Sequence, residues 1–166
     1  ISWKINVITS LDEKVNNLIN VVNFFNIFFI YKIYKVGKSL IEENTKEIIK
    51  KIYEKANKNK CKILIPEDCM VGSSFDGYGI NKDLNAIKDN DIILDIGPKT
   101  ILNIKDIIDQ SNTVLWNGPA GYFENENFMI GTMSIAENIS KNTVKKSLIS
   151  ILGGGDTLAA INKSKN

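Results

Sequence analysis

Three consecutive glycines, Gly153 to Gly155, stand between an apolar run and the polar pair Asp156-Thr157. Glycine lets the backbone approach a ligand closely, and the free N–H groups in the first turn of a helix attract anions. The pattern therefore predicts a turn that cradles a phosphate group between a strand and a helix. The simpler alternative is a tight strand-to-helix turn that Asp156 caps and in which nothing binds.

Asp156 adds a carboxylate to this turn. Magnesium prefers oxygen ligands, and it is commonly held by one or two carboxylates together with water and the phosphates of a substrate. We therefore expect Asp156 either to cap the following helix or to reach, through water, a magnesium ion that a bound phosphate chain carries.

A second loop that could bind a ligand is the segment VLWNGPAGYFE, in which Pro119 and two glycines fix the loop shape. Asn117 and Glu124 are polar side chains that could hold a ribose or the edge of a base. The alternative is a stiff turn whose flanking aromatic side chains belong to the core. Because this loop and the triple glycine occur together, the ligand-binding interpretation gains specificity.

The elements that would position these loops follow from apolar runs that alternate between strand and helix patterns. The predicted strands are 4–8, 62–66, 91–97, 113–116 and 148–152, and the predicted helices are 11–19, 39–56, a segment after Pro98, a segment through 128–139 and a segment after the triple glycine. Residues 67–90 are rich in loop signals, and we interpret them as an insertion or a small hairpin.

Strands that are separated by helices predict an α/β fold with a doubly wound parallel sheet and helices on both faces, a Rossmann-like three-layer arrangement. Ligands on such sheets bind beyond the carboxyl ends of the strands. Both glycine loops follow predicted strands, so we expect the site at this edge of the sheet.

The charged residues exclude some functions. All 21 basic residues are lysine, and the chain contains no arginine and no histidine. Bidentate clamps on phosphate are typical of arginine, and histidine is the usual general base near neutral pH, so neither is available here. The net charge of +2 is too small to indicate nucleic acid or a membrane surface as a partner.

The two cysteines, Cys61 and Cys69, are eight positions apart with no second cysteine pair and no histidine, whereas a metal site would need more ligands. We predict two buried, reduced thiols in a cytoplasmic protein. No secretory signal pattern is visible at the start of the sequence, and we expect a monomer.

A family resemblance rests on three motifs in order, WNGPAGYFE, F-x-x-G-T-x-x-I-A at 128–136, and SILGGGDTLAA. Together they resemble the carboxyl-terminal, nucleotide-binding domain of the phosphoglycerate kinase family. The resemblance also includes ISWKINVI, VGKSLIEE, KILIPEDCMV and LDIGPKTI, and it covers nearly the whole chain except 22–35 and part of 72–90. It implies one lobe of a two-lobed kinase that transfers a phosphoryl group reversibly between 1,3-bisphosphoglycerate and MgADP, giving 3-phosphoglycerate and MgATP in glycolysis.

The resemblance also implies roles for individual residues. Lys4, Gly154 and Gly155 match positions at the transferred phosphoryl group, Glu124 matches the carboxylate that holds the ribose hydroxyls, and Asp156 matches the carboxylate on the metal side. The full set of implied nucleotide-binding positions is Lys4, Leu94, Asn117, Pro119, Glu124, Gly153, Gly154, Gly155, Asp156 and Thr157.

The chain departs from the family pattern at its ends. We expect residues 1–166 to be a nucleotide-binding domain that is truncated at both ends, without the amino-terminal lobe that binds 3-phosphoglycerate through arginines in this family. Because this chain has no arginine, it cannot hold that substrate in the family's way. We therefore expect the isolated chain to bind MgADP weakly or not at all, and not to turn over.

Another departure concerns glycines of the family that stand beside the nucleotide. Val21, Val22 and Asn23 occupy the positions of a glycine run, and Ile93 replaces a glycine before Leu94. Side chains there are expected to project toward the base and to cost affinity. This observation keeps open the alternative of a non-catalytic remnant or pseudo-enzyme with a blocked adenine pocket. Compensating frame slips, or drift in a decaying gene, would account for the altered stretch.

Two other interpretations fit less well. A dinucleotide-binding dehydrogenase would need a G-x-G-x-x-G motif after the first strand, and none is present. A membrane segment at VVNFFNIFFIYKIY would be shorter than the roughly 20 apolar residues that a span needs, and it contains two asparagines.

Overall fold

The computed structural model describes residues 14–19, 21, 45–146 and 148–163. The strands are β1 (Asn17–Ile19), β2 (Lys62–Leu64), β3 (Asp68–Gly72), β4 (Ile80–Asp83), β5 (Ile92–Ile96), β6 (Thr113–Asn117) and β7 (Ile149–Gly153). The helices are α1 (Thr45–Lys58), α2 (Pro98–Asp109), α3 (Ile130–Lys146) and α4 (Gly155–Lys163), with short 3-10 turns at Leu84–Ala86 and Glu126–Phe128.

Parallel strand pairs confirm the predicted α/β class. β1 pairs with β2 and β6 pairs with β7, both in parallel. In the second pair, Thr113 is opposite Ile149 and Asn117 is opposite Gly153. The two glycine loops therefore leave neighbouring strands at the same carboxyl edge.

Two predictions about individual elements were wrong. β5 is not part of a parallel sheet, because it pairs antiparallel with β3, whose other neighbour is the antiparallel strand β4. An apolar run shows that a strand is buried but does not specify its direction. Within the predicted helix 11–19, residues 17–19 instead form β1, since pairing with β2 outweighs the local pattern, and residues 11–13 lie outside the described residues. The proposed hairpin within 67–90 is present as β3 and β4, whereas the predicted strand 4–8 lies outside the described residues.

The core lies between helices α2 and α3 and strands β5 and β6. The core contains isoleucines from both helices, and its members are Ile96, Ile101, Ile104, Ile108, Trp116, Ala120, Ile135, Ile139 and Leu148. The carboxylate of Asp68 accepts hydrogen bonds from the N–H groups of Lys99 (3.1 Å) and Thr100 (2.9 Å), and so ties β3 to the first turn of α2. This anchoring fixes the antiparallel sheet against the core.

Cys61 and Cys69 are buried and unbonded to each other, as the sequence predicted. Burial is the main cause that raises the pKa of the Cys69 thiol to about 12, and the nearby Asp68 and Asp91 carboxylates add to it. Cys69 is therefore a protonated packing residue at neutral pH. In the described part of the chain, no helix combines the length and the apolar character that crossing a bilayer requires.

Candidate functional site

The side chain of Thr157 fastens the two glycine loops together. Its Oγ1 accepts a hydrogen bond from the Gly118 N–H (2.7 Å) and donates one to the Gly153 carbonyl (2.8 Å). Thr157 is fully buried, so water does not compete for these bonds. The loop after β6 and the turn after β7 therefore form one unit.

Each glycine of the triple run has a different structural position. Gly153 ends β7 and Gly155 begins α4, whereas Gly154 between them has a φ of +90°, which side chains rarely tolerate. Apart from the neighbouring residues and the backbone of its own helix, no atom of the described residues lies within 4 Å of a Cβ added to Gly155. The fold thus explains Gly154 by conformation, but neither conformation nor packing requires the bare backbone at Gly155.

The first turn of α4 is open to an anion. The first hydrogen bond that closes this turn runs from the Leu158 N–H to the Gly154 carbonyl (3.3 Å), so the N–H groups of Gly155 and Asp156 have no partner inside the helix. Asp156 is exposed and lies in this turn. The arrangement offers peptide N–H groups and a carboxylate on one accessible surface.

The loop between β6 and α3 is held by buried contacts that sequence reasoning missed. The Ala120 N–H donates to Thr132 Oγ1 (2.9 Å), and the Tyr122 N–H donates to the Leu94 carbonyl (2.7 Å). The Asp95 carboxylate accepts from the N–H groups of Gly131 and Ile96, both at 2.8 Å. Burial, only partly offset by these bonds, raises the pKa of Asp95 to about 7. The sequence signal that could have indicated this role of Asp95 is an acidic residue inside the otherwise apolar run Ile92–Ile96.

Gly121 lies where this loop packs most closely against Asp95. A Cβ at this position would overlap the Asp95 carboxylate and the Phe128 carbonyl oxygen. We expect Gly121→Ala to lower the free energy of unfolding by about 1–3 kcal/mol, because overpacking a buried position displaces its neighbours. Urea unfolding would measure this change. Gly155→Ala is the matched control, since its Cβ has open space, and an equal loss in both variants would contradict the packing explanation.

Glu124 is exposed at the end of the same loop. With Asp76, Tyr78, Asn125, Glu126, Asn127 and Lys163 it lines an open cavity of about 500 Å³. The side-chain amide of Asn125 donates to the carbonyls of Phe75 (2.8 Å) and Gly77 (3.0 Å), which attaches the loop to the β3–β4 hairpin. A different cavity, of about 340 Å³, lies between α1 and β2 and contains none of the predicted site residues.

Of the other predicted site residues, some lie at the carboxyl edge beside the glycine turn and others do not. Asn117 is exposed and Pro119 half-buried at the carboxyl edge, close to the glycine turn. Leu94 is only 1% exposed, so its part in a base site stays a prediction. Lys4 lies outside the described residues.

The expectation that side chains at the family's glycine positions project toward the base is wrong for Ile93. This residue is 5% exposed and packs with Cys69, Val71, Leu84 and Ile87, because it faces the core of the antiparallel sheet. Val21 is partly buried against the main core. Val22 and Asn23 lie outside the described residues.

The glycine turn contributes one exposed carboxylate, that of Asp156. Within the described residues, no group of three or more Asp, Glu, Cys or His side chains could hold a metal ion. A single exposed carboxylate, Asp156, suits magnesium that keeps its phosphate and water ligands.

The fold and the fastened loops define an α/β protein of the class that binds ligands at the carboxyl edge of a parallel sheet. The family model for phosphoglycerate kinase matches residues 1–166, and the chain belongs to this family. Phosphoglycerate kinase of Wolbachia pipientis wMel is 44% identical over 97% of this chain. The structure of phosphoglycerate kinase from Coxiella burnetii is 36% identical, covers 99% of this chain and 42% of that one, and has a TM-score of 0.91.

A more distant structure, phosphoglycerate kinase from Pyrococcus horikoshii OT3, is similar at the level of the fold, with a TM-score of 0.69 and 23% identity over 96% of this chain and 41% of that one. The present chain spans 41% of the length of the Wolbachia relative. Family membership therefore rests on similarity to less than half of the length of such a relative.

Proposed function

We propose that this chain forms the nucleotide side of a phosphoglycerate kinase, the enzyme of glycolysis that transfers a phosphoryl group reversibly between 1,3-bisphosphoglycerate and ADP, in the cytoplasm. Its family membership supports this assignment. The observation that carries it is the bare backbone at Gly155, where neither conformation nor packing of the described residues requires glycine. A ligand that approaches this backbone closely accounts for it.

In this proposal the phosphates of ATP or ADP lie against the turn from Gly153 to Thr157. The free N–H groups of Gly155 and Asp156 hold the phosphate oxygens, as helix amino termini commonly do. Asp156 faces the magnesium ion through water, and Lys4 adds a positive charge at the transferred group. The ion supplies charge neutralisation between the phosphates.

The nucleoside lies along the loop after β6. Glu124 accepts hydrogen bonds from the ribose hydroxyls, and Asn117 and Pro119 flank the nucleotide. The exposed carboxylate of Glu124 and its cavity support this placement. Leu94 would need to become accessible in order to contact the base, because it is buried here.

Such a site suits phosphoryl transfer because this reaction depends on positioning and charge neutralisation rather than on a covalent nucleophile. The backbone N–H groups would position the phosphates, and the Asp156 carboxylate would hold the magnesium ion that supplies the charge neutralisation. In this proposal, 3-phosphoglycerate binds to the remaining part of the longer relatives, and closure of the two lobes excludes water.

We expect saturable, magnesium-dependent binding of ADP to this chain, with weak affinity and no turnover. Asp156→Asn should reduce the gain in affinity that magnesium gives by about three- to tenfold, since a water-mediated charge contact is lost. The same change should strengthen magnesium-free ADP binding, because it removes a negative charge near the phosphates. Isothermal titration with and without magnesium measures both effects.

Asp106→Asn is the matched control for the titration, because Asp106 is an exposed carboxylate on α2. It should leave both affinities unchanged. Absence of any saturable ADP binding would overturn the proposed function. Binding that responds to neither magnesium nor Asp156→Asn would overturn only the role of this carboxylate.

A further inference from the structure

We propose that Lys163 is a positioning residue that holds Glu124 at a fixed distance from the phosphate turn, the turn from Gly153 to Thr157. This inference rests on the proposed function, because it assigns a role within the same nucleotide site. The Lys163 Nζ donates to the Glu124 carbonyl (2.7 Å) and to the Phe123 carbonyl (3.2 Å). Glu124 lines the cavity, and Phe123 directly precedes it in the loop after β6.

The contact leaves the carboxylate of Glu124 available. Lys163 binds the backbone carbonyl, and among the described residues no ion pair or hydrogen bond occupies the Glu124 side chain. A lysine ammonium group has three donors and no acceptor, so two carbonyls can be held at once without involving the carboxylate. The arrangement fixes the backbone of Glu124 and leaves its acidic group facing the cavity.

Lys163 lies at one end of α4, and the phosphate turn lies at the other end. The helix runs from Gly155 to Lys163, a length of about 13 Å at 1.5 Å per residue. Its first turn is fastened to the loop after β6 by Thr157, and its last residue is fastened to the far part of the same loop. One rigid helix therefore sets the distance between the phosphate contacts and the ribose contact.

The loop keeps other attachments when Lys163 is changed. The amides of Asn125 and Asn127 donate to the Gly77 carbonyl at 3.0 and 3.2 Å, and the rings of Tyr122 and Phe75 meet edge to face at 4.9 Å. Lys163 is exposed, so its replacement creates no cavity. We therefore expect Lys163→Met to fold normally and to loosen the Glu124 backbone.

The test compares magnesium complexes of ADP, of 2′,3′-dideoxy-ADP and of tripolyphosphate as ligands of this chain. We expect Lys163→Met to weaken ADP binding by about fivefold, which is the typical effect of one lost hydrogen bond. Dideoxy-ADP and tripolyphosphate should bind as before, because neither presents the ribose hydroxyls. Lys163→Arg, which keeps donors at this position, should restore most of the ADP affinity.

Lys141→Met is the control for the loss of a positive charge, since Lys141 is an exposed residue about three helical turns into α3. It should change none of the three affinities. Without any ligand, hydrogen exchange at the amides of 123–125 should be faster in Lys163→Met than in Lys141→Met.

An equal loss for all three ligands in Lys163→Met would overturn the proposal, because it would indicate a general charge or helix effect. An unchanged ADP affinity would also overturn it. If the unmodified chain binds tripolyphosphate but does not distinguish ADP from dideoxy-ADP, the positioning role of Lys163 is wrong. Phosphate binding at the turn is then still supported. If it binds none of the three, the proposed function falls, and this inference falls with it.

Discussion

Replacing Gly155 with alanine is expected to weaken MgADP binding by about tenfold or more while leaving the folded state at least as stable. The added methyl group would stand over the first N–H groups of α4, where a phosphate oxygen must approach the backbone. Because the methyl group has open space among the described residues that surround this helix, we expect no internal clash. Alanine should instead stabilise the helix by up to about 1 kcal/mol relative to glycine.

The neighbouring variant Gly154→Ala separates this effect from a general disturbance of the turn. Gly154 has a φ of +90°, so alanine there should lower stability by about 1–2 kcal/mol and also weaken binding. Thermal unfolding and MgADP titration on both variants give the comparison. If Gly155→Ala bound MgADP with unchanged affinity, no ligand would approach this backbone, and the principal support for the proposed site would be lost.

The free energy of unfolding is expected to fall as pH rises from about 5 to 8 because of Asp95. Burial raises the pKa of this carboxyl to about 7 in the folded chain, whereas an unfolded aspartate ionises near pH 3.9. Between these values the folded state holds a proton that the unfolded state has released, so stability declines with rising pH until the folded pKa is passed. The expected decline from this group is roughly 3 kcal/mol.

Urea unfolding at a series of pH values measures this decline, and the variant Asp95→Asn isolates it. The variant loses stability overall, because its amide cannot accept both hydrogen bonds that the carboxylate accepts. Its stability should nevertheless be almost independent of pH in this range, which is free of histidine titration because the chain contains no histidine. Parallel pH profiles for the two proteins would show that Asp95 is ionised throughout and that its pKa is not raised.

The meeting of the two glycine loops was predictable from the sequence. Both loops follow apolar strands, and the carboxyl ends of parallel strands share one edge, as the pairing of Asn117 with Gly153 confirms. The run Ile92–Ile96 was recognised as a strand and a small hairpin was considered before it, but the antiparallel pairing of this strand with β3 was not predicted. Strand direction is set by tertiary pairing, which apolar spacing alone does not encode.

Contacts between segments that are distant in the sequence could not be predicted from the sequence pattern. Lys163 lies 39 positions from the carbonyl that it holds, and nothing in its local sequence distinguishes it from other exposed lysines. The same holds for Thr132, whose hydroxyl supports the Ala120 N–H. Positions that act through their own backbone, such as Gly154, are visible as motifs, whereas positions that act through a long side chain become visible only in the folded molecule.

The pairing of β6 with β7 has a consequence for how such a domain can change in evolution. Asn117 is opposite Gly153. Inserting or deleting one residue within either strand would therefore exchange the two faces of that strand, and it would also shift one glycine loop relative to the other. Apolar residues in these strands can be replaced by similar ones, but the number of residues in each strand is constrained. Variation in chain length is therefore expected in connections such as 87–91, before β5, where added residues leave the spacing of the two glycine loops intact.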